Sequence, residues 1–251
     1  MAAALSDTGW LPGAVTVRDD PAGVGAAAAD WIVEIAAAAI AEDGRFRIAL
    51  AGGSTPRALY EVLAMTPHRE RTDWRCWEVY FGDERACPPD DPASNSRMAR
   101  EALLDRVPIA PELVHRMEAE RPDLDAAAAE YSSILASTCP PAAPGSAPRV
   151  DCVLLGLGEN GHTASLFPGD PSLEVRDRWA VRSRADYAPY DRITLTFPVL
   201  NAAAHVAFLV TGATKTEALL GVIRGTVPAA GVRPVDGELR WFLDTAAAAG
   251  L

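Results

Sequence analysis

The stretch Phe46-Arg47-Ile48-Ala49-Leu50-Ala51-Gly52-Gly53-Ser54-Thr55-Pro56 decides the fold. The apolar run 46–51 predicts a short strand, two glycines end it, and a helical pattern follows over 56–65. Ser54 or Thr55 can cap that helix, and Pro56 suits its first turn because its missing N–H would have no partner there. Such a junction also leaves N–H groups and the positive end of a helix dipole facing an anion. No Gly-Lys-Ser/Thr follows, so this is not a nucleotide-triphosphate loop, and a single phosphate on a small molecule fits better. Taken alone, the stretch is equally an ordinary strand-to-helix turn.

Outward from it, the same alternation continues. Strand-like runs fall at 14–17, 78–81, 150–155, 179–182, 193–196, 206–210 and 240–243. Helical patterns lie at 22–42, 95–105, 123–136 and 214–224. Several strands are near-continuous Val, Leu and Ile, as expected of strands buried on both faces. The prediction is an α/β fold, a single domain over 1–251, with an open, mostly parallel sheet flanked by helices. The Pro- and Gly-rich stretch 138–148 is the best candidate for a boundary, and at its length a surface loop is the better reading. Ligands of such sheets sit beyond the strand ends, so chemistry is sought there.

Composition narrows the field. A net charge of −11 weighs against a nucleic-acid partner. No apolar run reaches the roughly 18 residues of a spanning helix, and the first eleven residues lack the features of a signal peptide, so no membrane partner is expected. The four cysteines form no C-x-x-C pair and no cluster with histidine, which predicts reduced thiols, a cytoplasmic location and no metal. The chain has 22 arginines but a single lysine, Lys215. It opens the helix at 214–224, where the dipole disfavours a cation, which raises its weight as a ligand-facing residue.

Three more strand ends carry candidates. Phe81-Gly82-Asp83-Glu84-Arg85 offers two acids for positioning or for an internal ion pair, and Arg85 for bidentate contact with phosphate. Ser94-Asn95 follows and would cap the next helix. Gly156-Leu157-Gly158-Glu159-Asn160-Gly161-His162 matches G-x-G-x-x-G, yet Pro168 stops the long helix a dinucleotide site requires. A glycine-flanked histidine is the more informative feature, since imidazole titrates near neutrality and the backbone can approach a ligand. His68, His115 and His205 sit in plainer contexts.

With these stretches in view, the chain resembles the 6-phosphogluconolactonase family, within the wider group that includes glucosamine-6-phosphate isomerase. The matching stretches include AGGSTPRALYEVLA at 51–64, YFGDER at 80–85, GLGENGHTASLFPG at 156–169, RITLTFPVLNAA at 192–203 and VAFLVTGATKTEAL at 206–219. The resemblance implies a modified Rossmann-like topology and hydrolysis of 6-phosphogluconolactone without metal or cofactor. Its partner is then a small sugar phosphate, with glucose-6-phosphate dehydrogenase and 6-phosphogluconate dehydrogenase as neighbours by pathway only. His162 would be the base. Gly52, Gly53, Ser54 and Thr55 would hold the phosphate with Arg85 and Lys215. Gly158, Asn160 and Gly161 would supply oxyanion or loop positions, and Asp83 and Asn95 would position the substrate. Asn160 stands where the family often has Asp, and an amide cannot take a proton. The rival readings are an amino-sugar phosphate isomerase or deaminase, with Asp83 as carboxylate base, and a non-catalytic sugar-phosphate sensor.

Overall fold

The computed structural model describes residues 11–141, 143, 145–184 and 189–251. In chain order the strands are β1 (Ala14–Arg18), β2 (Phe46–Leu50), β3 (Trp77–Phe81), β4 (Asp83–Arg85), β5 (Cys152–Leu155), β6 (Ala180–Ser183), β7 (Arg192–Leu195), β8 (His205–Val210) and β9 (Glu238–Asp244). The helices are α1 (Pro21–Asp43), α2 (Ser54–Leu63), α3 (Asn95–Ala102), α4 (Leu124–Thr138), α5 (Phe197–Ala202), α6 (Thr216–Arg224) and α7 (Thr245–Ala248).

Six strands form one parallel sheet in the order β1-β9-β8-β5-β2-β3. The sequence places β6 and β7 in that sheet; they lie elsewhere. Together with β4 they make a separate three-stranded antiparallel sheet, order β4-β7-β6. A short return from β6 to β7 favours antiparallel pairing, because parallel neighbours need a long crossover. Gly82 joins the two sheets. Its N–H donates to the Leu50 carbonyl of β2 (2.8 Å), and its own carbonyl accepts from the Leu195 N–H of β7 (2.8 Å).

The core follows the expected pattern. Every residue of β3 and β5 is buried, and Phe208 of β8 stacks on Trp241 of β9 with ring centroids 4.0 Å apart. Asp20 caps α1 by accepting from the Gly23 N–H (2.8 Å), Pro21 opens the helix, and Gly44 closes it at φ 80°. By length and mean hydropathy (1.7) α1 is apolar enough to cross a membrane, although Asp30 and Glu34 interrupt its apolar run. In this fold Val24, Ala28, Trp31, Ile32 and Ala36 bury one side of it in the core.

Candidate active site

A cleft of about 430 Å³ opens beyond the C-terminal ends of β2, β5 and β8, where the parallel sheet meets β4 and β7. Gly52, Gly53, Asp83, Arg85, Gly158, His162 and Lys215 all line it. The predicted strand ends therefore converge. Ser54 and Thr55 do not line the cleft, and Thr55 bonds its hydroxyl to that of Thr211 instead (2.8 Å). Among the described residues no side chain caps α2, whose first-turn N–H groups lie next to Gly52 and Gly53.

His162 is set by its own loop. The Gly158 N–H donates to the His162 carbonyl (2.8 Å), and the Gly161 N–H donates to the Gly158 carbonyl (2.9 Å). These two donors are thus engaged in the turn and build the loop rather than an oxyanion site. A Cβ on Gly158 would lie 2.0 Å from the imidazole Nδ1, so only glycine lets the ring occupy this place. Phe167 packs against the ring, with centroids 4.8 Å apart. The Oδ1 of Asn160 lies 2.6 Å from Nδ1. Burial holds the imidazole pKa below its usual value; the charges of Lys215, Arg192 and Arg85 act in the same direction, and Asp83 opposes them. Ala164, also on the cleft, has φ 45°, a left-handed conformation that costs a non-glycine residue free energy and marks functional loops.

Arg192, the first residue of β7, was not singled out from the sequence. It pairs directly with Arg85 across the antiparallel β4–β7 ladder. Among the described residues neither arginine nor Lys215 forms a salt bridge, and the buried Arg85 Nε and Arg192 Nη1 lack hydrogen-bond partners. Burial and the charge of Arg85 both lower the pKa of Arg192. An unpaired buried donor costs about 1–3 kcal/mol, and an anion in the cleft would supply the acceptors. The cleft is thus a cationic pocket inside an acidic protein.

The two acids have different surroundings. Asp83 lines the cleft with both carboxylate oxygens engaged: Oδ2 accepts from the Ser165 hydroxyl (2.5 Å) and Oδ1 from the Asn95 amide (3.0 Å). Asn95 itself sits behind Gly52, where a Cβ would collide with its Oδ1. Glu84 points the other way. It accepts from the N–H groups of Arg85, Asn95 and Ser96 and from the Ser94 hydroxyl, and so holds the start of α3. Among the described residues neither acid forms a salt bridge, so the internal ion pair that the sequence allows is not made. Within 170–191, Pro189 reaches the cleft, while residues 185–188 lie outside the described residues. Among the described residues no group of three or more His, Cys, Asp or Glu converges as a metal site.

Residues 19–241 match the family described as glucosamine-6-phosphate isomerases/6-phosphogluconolactonase. A 6-phosphogluconolactonase of Nostoc sp. is 43% identical over 242 residues, covering 94% of this chain and 98% of its own. Its counterpart from Synechocystis sp. is 43% identical over 85% of this chain and 88% of its own. Among solved structures, the 6-phosphogluconolactonase of Trypanosoma brucei superposes with a TM-score of 0.85 at 33% identity, over 96% of this chain and 99% of that one.

Proposed function

The chain belongs to the glucosamine-6-phosphate isomerase and 6-phosphogluconolactonase family, and from that membership and the cleft we propose that it hydrolyses 6-phospho-D-glucono-1,5-lactone to 6-phosphogluconate. The observation that carries the choice within the family is a half-buried His162, its imidazole pKa held below the usual value, sharing one cleft with three cations. A lactone carbonyl needs a base to activate water. An isomerase needs a carboxylate to move a proton between carbons and one to work with the histidine in opening the ring, and the residue that touches His162 here is the amide of Asn160.

The phosphate, remote from the reacting carbon, binds against the first turn of α2 with Arg85, Arg192 and Lys215 around it, which fixes the sugar ring. Binding energy at the phosphate then serves to orient the ring for the chemical step. His162 removes a proton from water as the oxygen attacks C1. The carbonyl oxygen gains negative charge, which the nearby cations stabilise. The C1–O5 bond breaks as the tetrahedral species collapses, and the proton on the imidazolium passes to the departing ring oxygen. The new carboxylic acid gives up its proton to solvent, and the product carboxylate and hydroxyl leave with His162 neutral again. A six-membered lactone is an activated ester, so these steps ask for no metal or cofactor. All four cysteines are free thiols, which supports a reducing, cytoplasmic setting.

The test is a coupled assay. Lactone is generated in place by glucose-6-phosphate dehydrogenase, and 6-phosphogluconate is followed through its own dehydrogenase, against an enzyme-free blank because the lactone opens unaided. The intact protein should exceed the blank, and His162→Ala should lose at least ~10²-fold in kcat with little change in Tm. A rate equal to the blank removes the lactonase reading, and ammonia release from glucosamine 6-phosphate would install the deaminase in its place.

A further inference from the structure

Asn160 makes two contacts with His162 through one atom. Its Oδ1 lies 3.2 Å from the His162 backbone nitrogen and 2.6 Å from the imidazole Nδ1. A backbone N–H can only donate, so the amide must present its oxygen and not its NH2 at this point. The same oxygen then accepts from Nδ1, which must carry the proton. One acceptor satisfied by two donors is consistent; the flipped amide would set donor against donor. Phe167 packs against one side of the ring, and the missing Cβ of Gly158 makes the space the ring occupies beside the loop.

We propose that Asn160 is a positioning residue that holds His162 in the Nδ1–H tautomer, so that the Nε2 lone pair is the base in the cleft. The role rests on the lactonase reading only for its consequence in turnover. A carboxylate at this place would orient the ring too, and would also stabilise the imidazolium. The amide orients without adding negative charge. Among the described residues, Asp83, Lys215, Arg192 and Arg85 are the charged groups that bear on the ring, and three of the four already disfavour its protonation. The neutral partner therefore leaves His162 unprotonated to lower pH than a carboxylate would. The cost falls on the imidazolium formed during turnover, which loses one anionic neighbour.

Nitrogen-15 NMR of the histidine-labelled, ligand-free protein tests the tautomer without any reference to activity. A protonated Nδ1 and bare Nε2 on His162 is expected; the opposite tautomer, or a mixture, overturns the assignment. Correct tautomer without lactone turnover would sink the lactonase reading and leave this one standing. Kinetics supply the second arm. Asn160→Ala should lower kcat about tenfold with KM unchanged, the size expected of one orienting hydrogen bond. Asn160→Asp should restore orientation and move the acid limb of the kcat profile up by about one pH unit or more, because the added charge favours the imidazolium. An acid limb that stays where it is in Asn160→Asp, or an Asn160→Ala effect confined to KM, counts against the proposal.

Discussion

The facing arginines define the residue scale. Two guanidiniums paired across one ladder, both short of acceptors, are a standing repulsion in the empty protein. Arg85→Ala should therefore raise KM for the phosphorylated lactone by tenfold or more. It should leave Tm unchanged or slightly raised when no ligand is present, because a repelling charge has gone. A scan showing a large drop in Tm would instead make Arg85 a structural residue, tied to the loop through its bond to the Ala93 carbonyl. Sequence alone showed His162, Lys215, Arg85 and the paired glycines, because each stands just past a strand or carries a rare residue type. Arg192 escaped for the opposite reasons. It begins a strand, and it is one arginine among 22. Only the antiparallel register brings it opposite Arg85.

At the scale of elements, the long apolar strands and the capped helices were legible to within a few residues, since burial on both faces leaves an unbroken Val, Leu and Ile pattern and caps leave Ser, Asp, Pro and Gly at fixed places. β4 was not legible. It is three polar residues, Asp83-Glu84-Arg85, and it is a strand only because β7 pairs with it. α5 and α7, of 6 and 4 residues, are too short for a helical period to show. The division into two sheets was equally hidden, because strand direction depends on partners distant in the chain. Glu84 links β4 to α3, with four donors on two oxygens and 4% exposure. Glu84→Gln would turn one acceptor into a donor facing an N–H. It should cost about 1–3 kcal/mol in urea unfolding. A loss well under that range would mean that α3 is held mainly by its packing.

At the scale of the molecule, a chain of net charge −11 gathers into one cleft three cations that form no salt bridge among the described residues. An anionic ligand thus relieves a repulsion as it binds. At about a hundred times its Kd, 6-phosphogluconate should add ~2.7 kcal/mol to stability, roughly 5–10 °C in Tm for a protein of this size. Differential scanning fluorimetry reads this directly, and Arg85→Ala at the same concentration should show little of the shift. A full shift in that variant would place the anion elsewhere. Gly82 sets how the molecule opens. The residue lies in series between β2 and β7, so the antiparallel sheet cannot peel away without breaking the bond from Leu195 to the Gly82 carbonyl, just past the edge strand β3 of the larger sheet. In native-state hydrogen exchange, the Gly82 and Leu195 amides should therefore exchange with the β2 and β3 amides, in one cooperative unit, and more slowly than the amide of the exposed Gly145. A site whose base and arginines belong to different sheets then vanishes in a single event on unfolding, with no half-open form that keeps one without the other.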